Sequence, residues 1–467
     1  MISSSGQTLE SWIDKNIYFV GIGGAGMSGL ARIALSHGIN VSGSDAKESS
    51  VVVALRALGA KVFYSHASEN IEGADVVVYS SAISQENPEM VRARALNLPI
   101  LTRAQALAIL MSGSRSIAVA GTHGKTTTSS MLTVALQACG IDPSFAIGGT
   151  LTSSGSNAHK GTGDLFVAEA DESDGSFIEY KPFSAIITNV EYDHVDYFHT
   201  PSALTEAFLE FAQTISHEGS LVYCVDDEGA RELAKSLSST QTISYGTGDE
   251  SDLKIDTINL LPMGSTSRVI WQGRAIGTLS LQVPGHHNIL NAAAALAMGL
   301  TLGLAPSDLL AGLSTFQGTG RRFEVKSIVH GIRIVDDYGH HPTEITVTLE
   351  AARRFAGDGR VLVIFQPHRY SRTQAFLKEF ARSLEIADEV VLLEIYAASE
   401  AVIPGVSSSD IASLMTHGHF IPNFAMASEW IVEHAKTGDV ILTLGAGDVN
   451  SLAPIIAEGL TRRFAAT

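Results

Sequence analysis

Cysteine is nearly absent from this chain: Cys139 and Cys224 are the only two in 467 residues. With no CxxC spacing, neither a disulfide framework nor a zinc ribbon is available, which suits a reducing compartment. Basic residues are also scarce, 31 Lys and Arg against 49 Asp and Glu, for a formal net charge of -18. So negative a chain repels nucleic acid and anionic lipid in bulk, so no nucleic acid partner is expected and any anionic ligand must be captured by local sites. No apolar run approaches the roughly 18 residues of a membrane span. The opening MISSSGQTLESWIDK has neither a basic nor an apolar targeting region. A cytoplasmic protein without membrane insertion is expected.

What is present is length and an alternating pattern. With 45% hydrophobic and 17% charged residues, 467 positions exceed one core and predict three α/β domains. Strand-like NIYFV, INVSG, KVFY and DVVVYS alternate with helical stretches over 16–80, the pattern of a parallel sheet. A boundary falls near 100–112. The alternation continues through LFVAEA, AIITNV and LVYCV, a helix near 202–216, an antiparallel stretch over 253–283 and the helix HNILNAAAALAMGLTLG. It restarts at 332 with IRIVDDY, RVLVIFQ, EVVLLEIY and DVILTLGAG. The expected division is an N-terminal Rossmann-like domain over 1–106, a central P-loop ATPase domain over 107–320 and a C-terminal Rossmann-like α/β domain over 321–467.

Gly121-Thr-His-Gly-Lys-Thr-Thr-Thr128 follows the apolar run Ser116–Ala120 and precedes a helical stretch. Strand, glycine loop and helix together form a phosphate cradle: Gly121 and Gly124 let backbone N–H groups turn inward, Lys125 reaches the terminal phosphates, and the Thr126 hydroxyl suits Mg²⁺. This predicts an ATP user. Val119 stands where the common motif has its first glycine, so the loop is a shortened variant.

Gly21-Ile-Gly-Gly-Ala-Gly26 likewise joins a strand to a helix, with Asp45 closing the next strand 19 residues past Gly26. Read alone, that spacing suggests NAD. The same geometry would hold any ribose-linked pyrophosphate, and with an ATP loop downstream a nucleotide-diphosphate substrate is the simpler reading.

Phosphoryl transfer calls for oxygen ligands at strand ends near the P-loop. Glu169-Ala-Asp-Glu-Ser-Asp174 and Glu191-Tyr-Asp-His194 each follow an apolar strand, and Glu169 is the favoured metal ligand. His194 reads from chemistry as a structural or general-base residue, because imidazole is not a preferred Mg²⁺ ligand. Asp336–Pro342 and Gln366–Arg372 end two strands of the last domain, so both should face one sheet edge. There Arg369 and Arg372 could fork a carboxylate or form a structural ion-pair patch. Asn288 and Asn291, three apart on a helix, could read an adenine edge. Arg321 and Arg322 could carry a cation toward phosphates or merely bridge domains.

GIGGAGMSG, GTHGKTTT, EADESD, NVEYDHVDYF, HHNILNA, GRRFE, DDYGHHPTE and HRYSRT, in this order, resemble the Mur ligases over the whole chain. The resemblance implies ATP-dependent joining of L-alanine to UDP-N-acetylmuramate, with two Mg²⁺. It implies that the diphosphate rests on Gly23, Gly24, Ala25, Gly26, Met27 and Ser28, with Asp45, Ser80 and Ser81 near the uridine. ATP then lies on Gly121, Thr122, His123, Gly124, Lys125, Thr126 and Thr127, with Asn288 and Asn291 at adenine, Arg322 near the phosphates and Asp337 at the ribose. Thr126, Glu169 and His194 become the metal ligands, and Lys125, Glu169 and His194 the catalytic set. Tyr338, His340, His368, Arg369 and Arg372 are implied around the amino acid. No lysine lies between Lys181 and Lys235, where some members carry a carbamoylated one. Rival readings are a recycling ligase that adds a preformed peptide, a non-catalytic nucleotide sensor and a NAD oxidoreductase.

Overall fold

The structure is a computed structural model in which residues 7–80 and 82–465 are described. Residues 1–6, 81 and 466–467 lie outside the described residues, and with them Ser81 of the expected uridine site. The chain forms two units: Met1–Val190 with Leu204–Ser251 and Ala294–Gly312, and Glu191–Ala203 with Asp252–Ala293 and Leu313–Thr467.

In the first unit, β1 (Asn16–Val20), β2 (Asn40–Ser44), β3 (Lys61–Phe63), β4 (Val76–Tyr79) and β5 (Ile100–Thr102) form a parallel sheet in the order β3-β2-β1-β4-β5. Ile17 to Val20 are wholly buried, as a strand covered on both faces requires. The chain runs outward from β1 to β3, then returns to the far side at β4. Strand order therefore reverses beside β1, opening a crevice at its carboxyl end where the Gly21–Gly26 loop and Ser80 lie.

The same unit contains β6 (Arg115–Ala120), β7 (Ser144–Leu151), β8 (Ser156–His159), β9 (Leu165–Glu169), β10 (Ser184–Ile187), β11 (Ser220–Cys224) and β12 (Gln241–Gly246), ordered β12-β11-β10-β6-β9-β7-β8. Only β8 runs against its neighbour in this stretch. Because β6 lies between β9 and β10, their carboxyl ends flank the loop that follows β6. Strands β7 and β8 escaped the sequence pattern, since Gly148 and Gly149 interrupt β7 and β8 is only four residues long.

In the second unit, β13 (Leu253–Leu261), β14 (Gly264–Trp271) and β15 (Arg274–Leu281) make the antiparallel meander expected over 253–283. A further sheet comprises β16 (Glu324–Val329), β17 (Ile332–Asp337), β18 (Val361–Phe365), β19 (Glu389–Leu392), β20 (Gly418–Phe420) and β21 (Val440–Leu444), in the order β16-β17-β21-β18-β19-β20. Its two faces divide by strict alternation. Val361, Val363, Phe365, Leu442 and Leu444 pack on one core, while Leu362, Ile364 and Ile441 pack on the other. The sheet begins earlier than the expected residue 332, because β16 is an antiparallel edge whose side chains are only partly buried. Strands β17 and β18 run parallel through β21, so Asp336–Pro342 and Gln366–Arg372 do share an edge. Among the described residues, no helix is long and apolar enough to cross a membrane.

Candidate functional site

Gly121 leaves β6 with φ +130°, and a Cβ there would meet Thr188 Oγ1 at 2.0 Å, so only glycine fits. Gly124, with φ 83°, is the left-handed N-cap of the helix Lys125–Ala138, whose first N–H groups are left facing the loop. The end of β10 clamps the turn. Thr188 Oγ1 donates to the His123 carbonyl at 2.6 Å, and Asn189 Oδ1 accepts from the His123 N–H at 2.8 Å.

Lys125 Nζ donates to the Gly121 and Thr122 carbonyls at 2.7 and 3.1 Å and pairs with the fully buried Glu172 at 2.8 Å. Burial alone would depress this lysine, but the Glu172, Asp171 and Glu169 charges outweigh it and raise the pKa. Thr126 Oγ1 donates to Glu169 Oε1 at 2.9 Å, and Glu169 Oε2 accepts from the Gly148 N–H at 2.7 Å. Two of the expected metal ligands are thus in contact, and both present oxygen, the donor Mg²⁺ prefers.

At the front loop, Gly23 N–H donates to Asp45 Oδ2 at 2.9 Å, and Asp45 Oδ1 accepts from the Lys47 N–H at 3.0 Å. Asp45 therefore braces the loop. Gly24 caps the helix Ala25–Ser36 without a side-chain bond, so the amides of its first turn are left for a ligand. A cavity of about 310 Å³ is lined by Gly24, Ala25, Gly26, Met27 and Ser80 on one side and by Gly148, Asn157, Glu169, Asp171 and Asp174 on the other. Arg103 also lines it, 3.9 Å from Asp171. Tyr180, Asp171, Asp174 and Glu169 together raise the Arg103 pKa against its burial.

Sequence reasoning missed Arg103, Thr188 and Asn189, and it passed over Glu172 within a cluster it had marked. A cation in an unremarkable helix such as RAQALAILM carries no motif. Only the packing of that helix beside the front loop reveals Arg103, whose Cδ lies 2.9 Å from where a Cβ on Gly26 would stand.

In the second unit, Arg372 grips Asp193 through Nε–Oδ1 at 2.9 Å and Nη2–Oδ2 at 3.1 Å, and Arg369 pairs with Asp196. The fork is thus filled by the chain's own carboxylates, the ion-pair alternative that the sequence left open. Burial would raise the Asp193 carboxyl, but Arg372 and His194 hold it well below the usual range. Glu191 accepts from Thr343 Oγ1 at 2.6 Å.

His340 Nδ1 lies 3.1 Å from the Tyr338 carbonyl, which can only accept. That fixes the proton on Nδ1 and leaves Nε2 as an acceptor. Burial keeps His340 neutral and, with Arg372 and Arg369, pulls His368 to about 4. The two rings lie 5.8 Å apart.

The Tyr338 ring lies beneath both Arg321 and Arg322, at 4.9 and 5.1 Å. Asp337 is buried, with Oδ1 accepting from Gly339 N–H and Oδ2 from Phe323 N–H, so both oxygens are engaged. Burial pushes its carboxyl up to about 6. Asn291 Nδ2 donates to Asn288 Oδ1 at 3.3 Å, and Asn288 Nδ2 to the Pro284 carbonyl at 2.7 Å. Those amides do share a face. His194 has φ 51° and lies 3.9 Å from Asp193.

Three family models match in succession: the Mur ligase family catalytic domain over 16–115, the Mur ligase middle domain over 119–299 and the Mur ligase glutamate ligase domain over 321–447. The chain belongs to the Mur ligase family.

Within that family it is 47% identical over 454 residues to the UDP-N-acetylmuramate–L-alanine ligase of Acidothermus cellulolyticus, covering 96% of this chain and 95% of the relative. It is 45% identical to the ligase of the same name from Desulfosudis oleivorans, covering 96% and 99%. Among solved structures, the UDP-N-acetylmuramate–alanine ligase MurC of Thermotoga maritima superposes with TM-score 0.80 at 30% identity, covering 97% of this chain and 100% of that one. A murein peptide ligase from Psychrobacter arcticus reaches 0.72 at 26%, covering 96% and 99%.

Proposed function

We propose that this chain uses ATP to join L-alanine to the lactoyl carboxylate of UDP-N-acetylmuramate, a step of peptidoglycan precursor synthesis in the cytoplasm. The observation that carries this reading is the shared cavity. One wall is the front loop suited to a sugar-nucleotide diphosphate, and the other contains Glu169, bonded to Thr126 of the ATP loop. A carboxylate extending from the front loop into this cavity would approach Glu169 and, through it, the loop assigned to ATP. The relatives named above, nearly half identical over almost the full length, support the choice of substrates.

In this reading the lactoyl carboxylate attacks the γ-phosphate in line, giving an acyl phosphate and ADP. The amine of L-alanine adds to the acyl carbon, and the tetrahedral intermediate expels phosphate. Lys125 offsets repulsion between the two anions. Thr126 and Glu169 would hold Mg²⁺, which neutralises charge on the phosphates when bound; His194 and a second ion are assigned by resemblance. Around the amino acid, His340 offers a neutral Nε2 acceptor, with Tyr338, His368, Arg369 and Arg372 beside it. Asn288 and Asn291 take adenine, Arg322 the phosphates and Asp337 the ribose. The domains divide at 106/107 and 320/321.

The test is ADP release with each substrate omitted in turn. Turnover should require UDP-N-acetylmuramate and L-alanine together. Release that needs a tripeptide instead of L-alanine would favour the peptide-adding ligase, and tight ATP binding without release for any amine would favour a sensor.

A further inference from the structure

Within Ala170–Asp174, successive side chains diverge. Asp171 and Asp174 line the cavity, whereas Glu172 turns inward to full burial and meets Lys125 through both oxygens, at 3.0 and 2.8 Å. An ammonium has three hydrogens, and here they are shared among the Gly121 carbonyl, the Thr122 carbonyl and Glu172. To reach a phosphate oxygen, Lys125 must release one of these partners. The two carbonyls belong to the loop that receives the nucleotide and can turn to other donors. Glu172 has no such freedom, because a wholly buried carboxylate without its cation is strongly disfavoured.

We propose that Glu172 is the positioning residue of the ATP loop: it stays paired with Lys125 through turnover, so that the lysine exchanges loop carbonyls for phosphate oxygens while pivoting on a fixed carboxylate. This rests on the reading that ATP occupies Gly121–Thr127. Glu172 then sets where the lysine charge sits during attack, and it also lowers the attraction of the loop for nucleotide as such, since a second anion stands behind the cation.

Positioning and plain structural support differ in sign. In Glu172→Gln the shape is kept and the anion removed, so ADP and ATP should bind several-fold tighter while kcat falls at least 30-fold. Glu172→Asp keeps the charge but retracts it by one methylene, so affinity should stay near that of the unaltered protein with kcat lowered 3- to 30-fold. Calorimetry with ADP and ATP, phosphate release with UDP-N-acetylmuramate and L-alanine, and thermal midpoints read the three quantities. Unchanged kcat in Glu172→Gln, or affinity, kcat and thermal midpoint lost together, overturns the proposal. Should Glu172→Gln not fold, unchanged kcat in Glu172→Asp overturns it alone. If the unaltered protein binds ATP but releases no phosphate with these substrates, the functional reading has failed, and the affinity changes still judge the tether.

Discussion

At the scale of single residues, Lys125 separates the two nucleotide sites. Among the described residues, its side-chain hydrogen bonds go to the Gly121 and Thr122 carbonyls of the ATP loop and to Glu172. Lys125→Ala should abolish ADP release while leaving the affinity for UDP-N-acetylmuramate within about threefold in calorimetry; equal loss of both would contradict the assignment of sites. Arg372 carries a different prediction. Removing it strands the buried Asp193, so Arg372→Ala should cost about 3–5 kcal/mol in urea unfolding. The pair replacement Arg372→Met with Asp193→Leu should recover most of that stability, because no charge is left buried. Sequence identified Lys125, since glycine spacing before a lysine is a local signal. It could not identify Asp193 as the partner of Arg372, which is 179 residues away.

At the scale of elements, the ATP loop is a strand-to-helix joint that only certain backbones fit. Gly121→Ala places a methyl against Thr188 Oγ1 at 2.0 Å and against the Thr188 and Asn189 backbone nitrogens at 3.0 and 3.1 Å. The variant should lose more than about tenfold in kcat/KM for ATP. Adding Thr188→Ala should not restore it, because the backbone contacts remain; full rescue would show that the hydroxyl alone sets the limit. The short elements β8 and β20 were illegible in sequence because Ser-Asn-Ala-His and Gly-His-Phe carry no apolar run. The long buried strands were legible because both faces are covered, leaving an unbroken apolar run.

At the scale of the whole molecule, the buried histidines set the response to acid. His287 and His368 ordinarily titrate near 6.5, and burial pulls both to about 4. Between those values the unfolded chain binds protons that the native histidines refuse, so stability falls as pH drops, by at most about 1.4 kcal/mol per unit for each. Asp337 acts in the opposite sense. Its carboxyl is raised from 3.8 to about 6, so below 6 the native state takes the proton first and recovers part of the loss. The thermal midpoint should therefore decline from pH 7 to pH 5, most steeply between about pH 6 and about 5.5, and His368→Gln should make the decline shallower. A midpoint that stays flat over that range would contradict the burial argument.

The sequence by itself determined the three α/β domains, the two glycine loops and the acids at strand ends, because each depends on residues close together in the chain. Only the tertiary structure decided which charges meet. It gave Lys125 to Glu172, Arg103 to the wall of the cavity and Arg372 to Asp193, since ion pairing in a buried site follows from how strands are ordered and helices packed. Packing of the helix Ala25–Ser36 against β7 and β8 brings the front loop and Glu169 to a single cavity, where the spacing of motifs along the chain showed only two separate sites.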